Sequence, residues 1–95
     1  MSNIKITAKN VNEIMAASQR DIFKIGDKTT VVMLTLPNGF EMFASSACVD
    51  AENYDQEVGE QICLSSLQKR IWELEGYVLQ TNEFLKKKTD PILER

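Results

Sequence analysis

Two stretches rich in apolar and β-branched residues, Thr29 to Leu36 and Phe40 to Ser46, flank the tripeptide Pro37-Asn38-Gly39. That arrangement predicts a β-hairpin, and its turn chemistry predicts the register. A two-residue Asn-Gly loop would place Pro37 where the ladder needs an N–H donor, which proline lacks. A three-residue loop has no such conflict. Pro37 takes the first central position of a type I turn, Asn38 the second, and Gly39 the left-handed bulge position. Leu36 then faces Phe40, Leu34 faces Met42 and Val32 faces Ala44, so one face of the hairpin is expected to be core. The opposite face carries Val31, Met33 and Phe43 beside Thr35 and Glu41. It is too apolar for a plainly solvated surface, and something else is expected to cover it.

On both sides of the hairpin the period becomes helical. Thr7 has the chemistry of an N-cap, and Val11, Ile14, Met15, Ser18 and Ile22 recur beyond it, predicting an amphipathic helix over about residues 8–19. Asp21 to Ile25, closed by Gly26-Asp27, is a candidate short strand. From Asp55 onward, with Asp55 or Asn53 as cap, Val58, Ile62, Leu64, Leu67, Ile71, Leu74 and Val78 form the apolar set of a long helix. Leu64 to Val78 follow a heptad seam over about two repeats, which suits packing on the sheet or a helical contact between subunits. Gly76 interrupts this pattern at about 1 kcal/mol relative to alanine, and marks a place for a bend or a close approach. Asp90-Pro91 predicts a stop, and the tail from about residue 89 is expected to fray. The fold class that follows is α+β, a single domain over residues 1–95. Its parts are an N-terminal helix, an antiparallel hairpin or small three-stranded sheet, and a long C-terminal helix.

A chain of 95 residues can bury only about two-thirds of its unfolded surface, so a homo-oligomer is the expected state. No run approaches the roughly 18 apolar residues of a membrane span, and Met1 to Lys9 lacks the apolar core of a secretory leader. Cys48 and Cys63 are too few for a disulfide framework, and without histidine they make a poor zinc set. A cytoplasmic protein without membrane association, metal or cofactor is the expectation. The net charge of −3 repels phosphate backbones, which makes nucleic acid a poor partner. The basic run Lys86-Lys87-Lys88 is the charge pattern of a helix end.

No phosphate-cradling glycine loop, nucleophile elbow or paired metal motif is present, and a non-catalytic protein is expected. The alternative is a small enzyme acting through Cys48 and Asp50, where a thiol and a carboxylate stand two residues apart. Against it, cysteine at a strand end commonly packs as a small hydrophobe, and aspartate after it commonly caps a turn. Glu52, Asp55, Glu57 and Glu60 suit the positive end of a helix dipole better than a calcium loop. Lys69, Arg70, Trp72 and Tyr77 bring cations and large rings onto neighbouring turns of one helix. Such a set can hold a nucleotide-like anion, or it can anchor a core or interface with its cations in water.

Ala47-Cys48-Val49-Asp50, Asn53-Tyr54-Asp55, Glu57-Val58-Gly59, Ile62 and Ile71 through Leu79 resemble a family of small tailed-bacteriophage proteins. It is the family named after gene forty-nine of phage N-four and gene sixty-six of phage Sf-six. The resemblance covers about residues 7–80, with Glu73 where many members carry proline, and it implies no catalytic role. What it implies is a setting, the infected cell. There a small accessory protein antagonises a host process such as defence, by inhibiting a host protein through an acidic surface or by sequestering an anionic nucleotide-like signal between subunits. A purely structural, oligomeric interaction module is a further alternative.

Overall fold

A computed structural model describes residues 5–87. The stop expected at Asp90-Pro91, the tail from residue 89 and Lys88 lie outside these residues.

Helix α1 spans Ala8–Ala17 and opens with a reciprocal capping box. The Thr7 hydroxyl accepts the Asn10 N–H at 3.2 Å and the Asn10 side chain accepts the Thr7 N–H at 3.1 Å. The helix stops two residues before the predicted end. Ser18 is extended, and its hydroxyl donates to the Ile14 carbonyl at 2.6 Å, taking an acceptor that the next turn would have used. From Gln19 the backbone pairs with the sheet, so Ile22, which its spacing assigns to the helical stripe, belongs to a strand.

The sheet is a three-stranded antiparallel meander of β1 (Gln19–Ile25), β2 (Thr29–Thr35) and β3 (Glu41–Ala47), in that order. The β2–β3 register places Leu34 opposite Met42 and Val32 opposite Ala44. At the tip, Gly39 N–H donates to the Leu36 carbonyl and Leu36 N–H to the Phe40 carbonyl, both at 2.8 Å. With Gly39 at φ +92°, this is the three-residue turn that proline and glycine dictate.

After β3 the chain makes one 3₁₀ turn, Ala51–Asn53, and enters α2, Gln56–Lys87. Asp55, rather than Asn53, caps α2, its carboxylate accepting the N–H groups of Glu57 and Val58 at 3.0 and 3.4 Å. Val32, Leu34 and Met42 form the core with Val11 of α1 and with Cys63, Leu64, Leu67 and Ile71 of α2. Leu36 and Ala44 pack at its margin. Phe40, expected to complete the core face, is 49% exposed at the hairpin tip, outside the ladder.

Two ends of the predicted helical stripe also fall outside the core. Val58 and Ile62 are more than half exposed, because Gly59 and Cys63 occupy the line facing the sheet. At the other end α2 outruns what it packs on. Thirty-two residues of helix extend about 48 Å, whereas strands of this length extend about 23 Å. The radius of gyration, 17.4 Å, exceeds the roughly 12 Å of a compact domain of this size. Leu74 and Val78 are exposed, and the segment from Trp72 to Lys87 is an arm. The helix continues through Glu73 and Gly76, and a Cβ added at Gly76 would meet nothing within 4 Å. No helix among the described residues is long and apolar enough to cross a membrane.

Candidate functional site

The elbow joining β3 to α2 collects the most side-chain chemistry. Cys48 N–H donates to the Lys28 carbonyl at 3.0 Å, and Lys28 returns the link by donating from Nζ to the Val49 carbonyl at 3.1 Å. Tyr54 places its hydroxyl 2.9 Å from the Thr30 hydroxyl, and Lys24 stands 4.7 Å above its ring. Gly59 lets the first turns of α2 sit directly on Thr30, since a Cβ there would come within 2.8 Å of the Thr30 Cβ. A cleft of about 380 Å³ remains between the sheet end and the helix, lined among others by Lys28, Thr30, Cys48, Tyr54, Asp55 and Gly59.

The cleft's thiol and its sequence-neighbour carboxylate turn to different partners. The half-buried Cys48 donates its S–H to the Asp50 carbonyl at 3.2 Å. The Asp50 carboxylate accepts the Glu52 N–H at 3.0 Å and caps the 3₁₀ turn. Cys63 is fully buried, its sulfur 3.7 Å from the Thr30 carbonyl. Burial pushes its thiol pKa up, with a partial offset from a hydrogen bond to the Val32 backbone. The carboxylates at the start of α2 disperse: Asp55 caps the helix and Glu60 pairs with Arg20 at 3.4 Å. Among the described residues no three His, Cys, Asp or Glu side chains gather as a metal-binding group.

Further along α2, Lys69 and Trp72 are one turn apart on one flank, while Arg70 and Tyr77 are two turns apart on another. Arg70 is occupied, donating from Nη1 to the Phe43 carbonyl of edge strand β3 at 2.8 Å. Lys69 is exposed and borders a shallow groove with Gln61, Ile62, Ser65 and Ser66. Trp72 is 38% exposed and Tyr77 75%. The two cations and two rings singled out from the sequence are thus spread along an exposed arc of one helix.

The family model described as the phage protein (N4 Gp49/phage Sf6 gene 66) family matches residues 4–83. The chain belongs to this family. No curated protein and no solved structure matches it. In this member of the phage family, the segment Ala47 to Ile62 builds the elbow. Its aspartates are caps, its tyrosine ties the connection to Thr30, and its glycine permits the close crossing.

This phage protein also presents a surface that the sequence only half discloses. The β1–β2 register puts Phe23 opposite Val31 and Asp21 opposite Met33, and Phe43 lies beyond Met33 on β3. Phe23, Ile25, Val31, Met33 and Phe43 therefore share the sheet face turned away from α2. Phe43 is 63% exposed, and about half of Phe23 and of Ile25 meets solvent. The sequence does not single out Phe23 and Ile25, because the period-two alternation of β1 is brief. Once Ile22 is placed inward against Val32, the two neighbours must point outward.

Proposed function

We propose that this phage protein is a non-catalytic accessory protein that antagonises a host process, host defence foremost, by gripping a host protein with the outer face of its sheet. The apolar patch of Phe23, Ile25, Val31, Met33 and Phe43, on the sheet face turned away from α2 and covered by no element among the described residues, carries this reading. The charges on that side of the strands are Asp21 and Glu41, both acidic. A partner with an apolar centre bordered by lysine or arginine complements it. A second copy stacked face to face would instead bring carboxylates toward carboxylates. Sequestration of an anionic nucleotide-like molecule has weaker support, because Arg70 already serves a backbone carbonyl and Lys69, Trp72 and Tyr77 do not converge with it in one chain.

The test is affinity capture from phage-host lysate with wild type and with Phe43→Asp and Phe23→Asp variants of verified fold. Support is a host protein held by wild type and released by both substitutions. Equal retention by all three would dismiss the sheet face. A small anionic molecule carried by all three, with no protein, would favour sequestration.

A further inference from the structure

We infer that the arm of α2 is a self-association device, pairing antiparallel with the arm of a second copy. Beyond the last core residue, Ile71, the apolar residues Leu74, Tyr77, Val78, Phe84 and Leu85, with Thr81 among them, follow spacings of three and four that return to one side of the helix. They fall within an arc of about 120° at 3.6 residues per turn. The opposite side carries Gln80, Asn82, Glu83 and Lys87, with Trp72 at its start and the half-buried Leu79 among them. This stripe prolongs the line of Leu64, Leu67 and Ile71, so the surface that packs on the sheet runs out along the arm with no sheet beneath it. Tyr77, Val78 and Leu85 are exposed there. A helix that leaves Tyr77, Val78 and Leu85 of one side to solvent is shaped for another helix.

The occupant and its direction follow from charge. Glu73 and Glu75 flank the stripe at the root of the arm, one on each side, and Lys86 and Lys87 flank it at the end. In an antiparallel pair with its two-fold near Gln80–Thr81, Glu75 meets the partner's Lys86 on one flank and Glu73 meets the partner's Lys87 on the other. Leu74 then lies against the Leu85 end of the opposite arm. A parallel pair would set glutamates against glutamates and lysines against lysines. Antiparallel helix dipoles add to the preference. The Lys86–Glu83 contact at 3.3 Å joins a lysine side chain that is 72% exposed to a glutamate that is 16% exposed, and a pair with so solvated a lysine contributes little and exchanges readily. The arm is thus complementary to itself, as an isologous interface requires, whereas the sheet face with its acidic pair is not.

At the root of the arm a shallow cleft of about 200 Å³ lies among Ile14, Leu36, Pro37, Asn38 and Glu75. The incoming arm end reaches this cleft, beside the hairpin tip where Phe40 is left open to solvent.

Sedimentation of the full chain decides the matter. Wild type is expected at about twice the 10.8 kDa of the chain at micromolar concentration. Val78→Asp combined with Leu85→Glu, both at exposed positions outside the core, should give a monomer with the sheet and core intact by circular dichroism. A charge series that leaves the stripe untouched supplies the orientation. Glu73→Lys with Glu75→Lys should weaken the dimer about tenfold at low salt. Lys86→Glu with Lys87→Glu should do the same, and the four changes together should restore it. A wild-type monomer at high micromolar concentration would overturn the inference, as would a dimer that survives the stripe substitutions. A flat charge series would overturn the antiparallel order. Phe43→Asp should leave the dimer unchanged, which keeps this result separate from that of the sheet-face test.

Discussion

Replacing Gly59 by alanine tests how closely α2 lies on the sheet. The added Cβ would stand 2.8 Å from the Cβ of Thr30 and closer still to its hydroxyl. Rotating Thr30 about χ1 exchanges its hydroxyl and methyl but leaves its Cβ in place, so the helix backbone must lift. Overpacking of this kind costs about 1–3 kcal/mol. Lifting the helix also stretches the 2.9 Å contact between Thr30 and Tyr54, a loss of roughly 1 kcal/mol. Against both stands the gain of about 1 kcal/mol that alanine brings to a helix interior. The net expectation is a destabilisation of roughly 1–3 kcal/mol. Since each kcal/mol moves the midpoint of a domain this small by about 4–8 °C, the drop should be roughly 5–20 °C by circular dichroism. A Gly59→Ala protein melting at or above wild type would refute the close crossing.

Gly76→Ala is the same change in the same helix with nothing within 4 Å of the new Cβ. It should raise the midpoint, by up to about 1 kcal/mol in chemical denaturation. Tyr54→Phe removes the hydroxyl partner of Thr30, a residue only 1% exposed. It should cost about 1–2 kcal/mol in urea unfolding, whereas no loss would show that Thr30 finds another partner. Cys63 makes stability depend on pH in the alkaline range. Its folded pKa lies above the ordinary value of 9.0, so above that pH the unfolded chain releases a proton that the folded chain keeps. Stability then falls with rising pH, by at most about 1.4 kcal/mol per unit for one group. Cys63→Val should flatten that part of the curve, and an unchanged slope would assign it to other groups.

The elements whose local chemistry admits one solution are legible in the residues themselves. Pro37-Asn38-Gly39 dictates the hairpin turn and with it the pairing of Leu34 with Met42, because proline cannot donate to the ladder and glycine alone accepts the left-handed position cheaply. Thr7 declares itself as a cap for a similar reason, its short side chain reaching the unpaired N–H groups of a first turn, whereas for α2 the residues offer Asp55 or Asn53 and the structure chooses Asp55. The competition between residues distant in sequence lies beyond such reading. Ser18 to Ile22 carry helical spacing, and from Gln19 they are strand because β2 lies in register beside every residue and pairs the backbone groups that face it. Val58 and Ile62 fit the apolar stripe as well as Cys63 does, yet the rotation of α2 is set by Gly59 crossing Thr30, which sends them outward. Lys69, Arg70, Trp72 and Tyr77 are close in sequence, but which flank each occupies relative to the sheet depends on that same rotation. The residue patterns determined which segments form helix, turn and hairpin, since those choices rest on forces reaching only a few residues along the chain. Which faces were buried, and which apolar faces were left exposed, depended on where one rigid helix ends relative to one short sheet, and only the tertiary structure decided that.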